Sequence, residues 1–325
     1  MDRIVQASER ERKAIFTETS AIIKIPVEMI EKDFWVCWTL SRLFSSPELK
    51  KSLRFKGGTS LSKVYGVIDR FSEDIDLILD WRHITVDDPM ADRSATRQDA
   101  FNKKLEEKAG RFISHEFKEK VAVALGDRCA VYFHANNLHV LHVQYPGVFP
   151  NNYLAPNIQL EIGPLAAWMP HDSFPVSSYV AQAFRVLEMN PFLVPTILAE
   201  RTFWEKVTIL HHEHHRPATS VVPARYSRHY YDLFKLAQSS IKDSALAQTE
   251  LLTAVVDFKK KFYPRGWARY DLAHRGSIQL LPSTDGQKML AGDYKAMRRM
   301  IYGEYPAWST IIATLADLER EINTI

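Results

Sequence analysis

Apolar residues recur at three- and four-residue spacing through residues 7–44: Ile22, Ile23 and Ile25, then Phe34, Trp35, Trp38 and Leu43, with Pro26 between them. That spacing predicts two helical segments, the second opening on the polar Glu31-Lys32-Asp33. The period then shortens. Residues 53–56 read as a strand that runs into Gly57-Gly58, a helix opens at Thr59-Ser60, and 73–80 alternates charge with Ile75, Leu77 and Leu79 as a strand does. The resulting order is strand, glycine turn, helix, strand.

After the polar Asp87-Asp88-Pro89 loop, Phe101, Leu105, Phe112 and Ile113 mark a charged helix over about 98–120. Strands are predicted at 130–134, 139–144 and 158–162, with turn signals at Asn136-Asn137 and Pro146-Gly147. From about Val194 the pattern is helical, with amphipathic stretches at 196–212, 227–238, 244–262, 285–302 and 307–325. The fold class expected is α+β: a mixed-sheet domain with N-terminal helices over 1–185, then a helical domain over 186–325.

With 46% hydrophobic and 25% charged residues in 325, the chain has the composition of a folded protein rather than a disordered one. No apolar run approaches the ~20 residues that span a bilayer, and no apolar block follows a basic start at the N-terminus, so a cytoplasmic protein without a membrane span is expected. Two cysteines, Cys37 and Cys129, exclude a disulfide scaffold or a cysteine-rich zinc module. A formal charge of +3 does not by itself mark a nucleic-acid binder.

The chemistry concentrates in Phe55-Lys56-Gly57-Gly58-Thr59-Ser60-Leu61-Ser62-Lys63 and Arg70-Phe71-Ser72-Glu73-Asp74-Ile75-Asp76-Leu77. On a strand, Asp74 and Asp76 point to one face and Ile75 and Leu77 to the other. Two converging carboxylates repel unless a hard cation such as Mg²⁺ (or Mn²⁺) sits between them. Gly57 and Gly58 let backbone N–H groups approach a phosphate at a helix start, where Thr59, Ser60 and Lys63 add donors. Phosphate cradle plus metal carboxylates suits nucleotidyl transfer from a nucleoside triphosphate. Singly, each fragment also reads as loop chemistry or a solvated strand edge. Glu161, among the strand formers of 157–162, reads as a further metal ligand, a base for the incoming hydroxyl, or an exposed strand residue.

At these residues the sequence resembles the AbiEii/AbiGii nucleotidyltransferase-like toxin family, MenT-like toxins included: the toxin half of type IV toxin–antitoxin and abortive-infection modules. The Lys-Gly-Gly-Thr-Ser-Leu block with Arg-x-Ser-x-Asp-Ile-Asp-Leu is similar to the family's first motif, and Glu31-Lys32-Asp33-Phe34-Trp35-Val36 to its N-terminal helix. Glu200-Arg201-Thr202-Phe203-Trp204-Glu205-Lys206 and Arg225-Tyr226-Ser227-Arg228-His229-Tyr230-Tyr231-Asp232-Leu233 are similar to later motifs. The resemblance implies a DNA-polymerase-β-like nucleotidyltransferase domain followed by helices, with Asp74 and Asp76 as metal ligands. It further implies that Lys206 faces the triphosphate, that Asp232 completes the site, that the acceptor is RNA, with the tRNA 3′ end the reading adopted, and that a separate winged-helix DNA-binding antitoxin is the partner. Translation would be blocked, in a phage-defence setting. A nucleotide-binding regulator without transfer, or transfer to a protein or small molecule, stands as the alternative.

The residues alone leave these later positions open. Lys206 reads as an inward phosphate cation or a snorkelling surface lysine. Arg225 and Arg228, three apart, read as phosphate binders on one helical face, and Asp232 as their site partner or a simple i+4 ion pair with Arg228. In His211-His212-Glu213-His214-His215 the zinc-peptidase spacing is absent, and a polar helix end before Pro217 is expected. Tyr226, Tyr230 and Tyr231 read as core, and Lys295, Arg298 and Arg299 as a solvated basic face.

Overall fold

The computed structural model describes residues 1–133, 137–150, 157–165 and 167–324. His134, Asn136 and Ile325, which end or link predicted elements, lie outside the described residues. The chain divides into two compact units: 1–64, 71–91 and 100–197 form the first, and 65–70, 92–99 and 198–325 the second.

In the first unit α1 (Asp2–Gln6) leads into α2 (Glu9–Ile23), which opens on a capping box between Ser8 and Glu11 and stops at Lys24, whose backbone is left-handed. α3 (Val27–Ser45) is buried on nearly every side, with Ile30, Phe34, Trp35, Cys37 and Leu40 fully covered. α4 (Pro47–Ser52), β1 (Leu53–Lys56), α5 (Gly57–Lys63) and β2 (Asp74–Leu79) follow in the predicted order. Then come α6 (Ala95–Phe112), α7 (Lys118–Leu125), β3 (Ala130–Phe133), β4 (Val140–Gln144), β5 (Asn157–Gly163), β6 (His171–Val176), α8 (Tyr179–Ala183) and β7 (Phe192–Ile197).

Among the described residues seven strands make one mixed sheet in the order β3-β4-β5-β2-β1-β7-β6, with β2 parallel to β5, β1 parallel to β7 and the other neighbours antiparallel. The α+β class and mixed sheet are as expected. One face is apolar: Leu53, Phe55, Ile75, Leu77, Ile158, Leu160, Leu141 and Val143 are buried, and α3 packs against β5 and β7. The period-2 alternation therefore puts Asp74, Asp76 and Glu161 on the opposite face.

β6 and β7 were not predicted, because Pro175 and Pro195 interrupt their patterns and proline demotes a strand. Both are tolerated: β6 is a sheet edge, and β7 meets β1 at a single register pair, Phe55 with Thr196. The boundary expected at 185/186 falls before β7. Because β7 belongs to the sheet, the first unit runs through Ile197.

The second unit is helical: α9 (Ala199–His214), α10 (Arg228–Ala237), α11 (Ser240–Leu246), α12 (Thr249–Phe262), α13 (Thr284–Ala296) and α14 (Trp308–Thr324). α9 packs on α10, α11 and α12, burying Phe203, Trp204, Val207 and Leu210, and α10 packs on α14. The helix expected over 244–262 is two helices, broken at Ala247-Gln248. Tyr230 and Tyr231 are fully buried, as their apolar spacing implied.

Candidate active site

β1 and β2 bring the two halves of the glycine and carboxylate motif side by side. Lys56 is the register partner of Asp76 across the antiparallel pair, and Glu161 is the register partner of Asp76 across the parallel pair with β5. Register partners share a sheet face, so Glu161, Asp76 and Lys56 form a row across three adjacent strands, with Asp74 two residues along from Asp76. Asp74, Asp76 and Lys56 are half-buried and Glu161 is exposed. Lys56 was missed by sequence reasoning; the signal for it was its place at the end of the strand facing the carboxylates.

Gly57 begins α5 with φ +82°, a backbone region that disfavours any side chain. A Cβ there would collide with the Asp76 carboxylate, lying 2.6 Å from its Cγ. The absence of a side chain at Gly57 is thus what lets the chain turn directly against Asp76. Gly58, Thr59 and Ser60 are buried behind it. The Thr59 hydroxyl donates to the Asp74 carbonyl oxygen, and the Ser60 hydroxyl donates to the Gly57 carbonyl at 2.8 Å. Both hydroxyls expected to meet phosphate instead tie the turn to β2 and close it on itself.

Lys63 is likewise turned inward. Its ammonium is 2.6 Å from the Asp33 carboxylate, with both side chains buried, and lies 3.9 Å from the centre of the Tyr179 ring. Lys63, expected to bind phosphate, has its charge balanced by this buried carboxylate. The run Glu31-Lys32-Asp33 explains this packing: three consecutive residues of a helix point about 100° apart, and each anchors a different segment. Glu31 accepts from the Val148 and Phe149 N–H groups at 2.7 and 3.1 Å. Lys32 pairs at 2.8 Å with Glu73, the residue before Asp74, and Asp33 holds Lys63 at the end of α5 while accepting from the Tyr179 N–H. α3 therefore fixes both ends of the glycine-to-carboxylate motif.

A divalent ion fits the first unit's polar face. Mg²⁺ asks for one or two carboxylates and takes the rest of its shell from water and substrate phosphate, which Asp74 and Asp76 beside a side-chain-free turn would provide. Among the described residues no group of three His, Cys, Asp or Glu side chains converges as a metal cage.

In the second unit Lys206 and Asp232 meet. The Asp232 carboxylate is fully buried and accepts from Arg70 Nε and a terminal guanidinium nitrogen at 2.6 and 2.8 Å, and from Lys206 Nζ at 2.7 Å. Burial alone would raise the Asp232 carboxyl; Arg70 and Lys206 more than reverse it and hold it well below the usual range. Burial brings the Lys206 ammonium down against the pull of Asp232, and His229 Nδ1 lies 3.1 Å from it. Lys206 is thus not a surface lysine. The expected i+4 partner of Asp232, Arg228, is exposed, and Arg70, 162 residues away, takes its place. With both oxygens committed, Asp232 anchors two cations rather than presenting an open carboxylate. Arg225 is not on the helix with Arg228: it precedes α10 with φ +60°, its N–H donating to Asp293 at 2.6 Å.

The histidine run ends α9 as expected but is built in. His211 Nε2 is 3.0 Å from the Arg269 carbonyl and its Nδ1 accepts from the Gln279 N–H at 3.1 Å, which leaves no nitrogen for a metal. His212 bonds the Tyr226 hydroxyl at 2.8 Å, and burial, then Lys259 and Arg265, push its imidazole down to about 3. A histidine neutral in the fold but titrating near 6.5 when unfolded lowers stability as pH falls below about 6.5, by ~1.4 kcal/mol per pH unit until its folded pKa is reached. In urea titrations between pH 6 and 5, His212→Gln is therefore expected to flatten the loss of stability by about one proton; an unchanged slope would show that His212 is already charged in the fold.

No curated protein matches the chain. Among solved structures it is similar to the MenT4 nucleotidyltransferase toxin of Mycobacterium tuberculosis, at 16% identity and TM-score 0.44 over 96% of this chain and 97% of that one. It is also similar to JHP933 of Helicobacter pylori, at 13% identity and TM-score 0.44 over 92% and 94%. A family model described as the AbiEii nucleotidyl transferase toxin of type IV toxin–antitoxin systems matches residues 38–314. A match over most of the chain, on a mixed sheet that sets Gly57 against Asp76, makes this protein a member of the AbiEii nucleotidyltransferase toxin family.

Proposed function

We propose that the chain transfers nucleotides from a nucleoside triphosphate to the 3′ end of tRNA, breaking the bond between the α- and β-phosphates and releasing pyrophosphate, with Mg²⁺ or Mn²⁺ held by Asp74 and Asp76, and so blocks translation. The observation that carries this reading is the turn at Gly57, kept free of a side chain against the Asp76 carboxylate. The bound ion would supply charge neutralisation at the triphosphate and acidify the attacking hydroxyl. The chain's own groups do the rest. Backbone N–H groups at Gly57 and Gly58 approach phosphate, Lys56 adds a cation on the same face, and Glu161, beside Asp76 in register, takes the proton of the acceptor hydroxyl. Lys206 is assigned to charge neutralisation, oriented by Asp232, and exposed Arg228 to phosphate contact.

A separate antitoxin of winged-helix type, a cytoplasmic setting and a part in phage defence complete the proposal. No helix among the described residues is long and apolar enough to cross a membrane. The test is incubation of purified protein with Mg²⁺, total tRNA and each α-³²P-labelled nucleoside triphosphate in turn, read on a denaturing gel. Label on tRNA from at least one nucleotide is expected; label on protein alone, or none with nucleotide still bound in calorimetry, would overturn the acceptor or the transfer.

A further inference from the structure

The segment 258–270 of the second unit holds Lys259, Lys260, Lys261, Arg265 and Arg269 and no acidic residue, a local charge of +5 in a chain whose net charge is +3. α12 ends on the three lysines, where cations complement the carbonyl end of the helix. That accounts for the lysines of the last turn but not for the arginines, which lie beyond it. Lys260, Arg265 and Arg269 are exposed.

The surface is ordered by aromatic rings. Trp267 is half-buried near two guanidinium groups, with Arg216 Cζ 5.0 Å and Arg265 Cζ 5.6 Å from its ring centre and the His212 ring 5.4 Å away edge-on. Tyr263, 47% exposed, stands beside Phe258. Stacked guanidinium groups lose little further freedom when they grip a phosphate, and they present parallel donors to it. Two of the arginines have acidic partners: Arg216 pairs with Glu213 and Arg269 with Asp271. Lys260 and Arg265 are not partners in those two ion pairs, although each adds to the field at one of the acids, Lys260 at Asp271 and Arg265 at Glu213.

We infer that the end of α12 and the loop through Arg269 form a docking surface for the phosphate backbone of folded RNA. The inference rests on the transferase reading for the kind of partner: an RNA acceptor must be held by more than its reacting end. A membrane surface fits less well, because interfacial binding needs apolar side chains pointing outward, and here Phe258, Phe262 and Trp267 are half-buried or buried while Tyr263 alone is exposed.

The experiment is fluorescence anisotropy of a labelled RNA hairpin with the full chain, without nucleoside triphosphate, across a salt series. Wild type is expected to bind with a steep salt dependence. Lys260→Gln combined with Arg265→Gln should bind about tenfold more weakly, with the log–log salt slope shallower by roughly two, while Arg265→Lys keeps the salt slope of wild type and loses only the affinity owed to the stacked fork, falling between the two. Unchanged circular dichroism and melting midpoint establish that the double variant is folded. Equal binding by wild type and double variant, no binding by wild type, or binding to phosphatidylserine vesicles in preference to the hairpin would each overturn the surface. Because no nucleotide is present, the two readings fail separately: hairpin binding through these residues without any label transfer refutes only the transferase, and label transfer with charge-insensitive binding refutes only the surface.

Discussion

Asp76→Asn should lower label transfer to RNA by roughly 10³-fold while leaving the fold in place. The size of the loss follows from removing a charge at the point where charge develops in the reaction, which costs 10²–10³ or more in comparable sites, about 3–4 kcal/mol. The fold should survive because Asp76 is half-buried on the polar face and the β1–β2 and β2–β5 ladders are made by backbone groups. Gly57→Ala provides the companion measurement. It leaves every charge in place but forces a Cβ into the Asp76 carboxylate at a left-handed backbone position, at a conformational cost of order 1–2 kcal/mol. A comparable loss of activity is expected, now through displacement of the carboxylate. Gly57→Ala combined with Asp76→Gly should regain stability over Gly57→Ala without regaining activity. Transfer by Asp76→Asn above a tenth of wild type would sink the assignment of the reaction to this face.

What could be read from the letters was whatever depends on near neighbours. β1, α5 and β2 were legible because Phe55, Ile75 and Leu77 alternate with polar residues and Gly57-Gly58 punctuates them, and Glu161 because Ile158, Leu160 and Ile162 set the phase of its strand. What was not legible is pairing at long range. Asp232 carries an arginine four residues before it, and helix spacing points to that residue; the buried partners come from Arg70 and Lys206 because two cations can reach one carboxylate only once α9, α10 and the 65–70 segment are packed together. Lys63 looked like a phosphate cation for the same reason, its buried partner Asp33 being on another helix. The consecutive Glu31-Lys32-Asp33 reads as the polar opening of a helix, yet α3 starts at Val27 and all three are buried within it, each balanced by a group from a different part of the first unit. Burial of such a run is costly unless every member is paired, so these residues specify where the glycine turn and the carboxylate strand sit rather than adding stability.

The same packing makes Asp232 a position in the second unit where loss of one carboxylate is expected to be costly. Asp232→Ala leaves Arg70 and Lys206 buried without a counter-charge and is expected to cost about 3–5 kcal/mol, the range for breaking one partner out of a buried ion pair. Lys206→Met removes one buried cation and leaves Asp232 bonded to both Arg70 nitrogens, so its cost should be clearly smaller. Urea unfolding of the two variants checks the order; equal costs would mean that Arg70 alone does not satisfy the carboxylate. The pH dependence separates this cluster from the histidines. Asp232, held low in the fold, contributes stability that is present above its unfolded value near 4 and is lost only as pH falls further. Stability lost between pH 6.5 and 5 therefore belongs to buried neutral imidazoles such as His212, and in Asp232→Ala that upper part of the profile should persist while the part below pH 4 flattens.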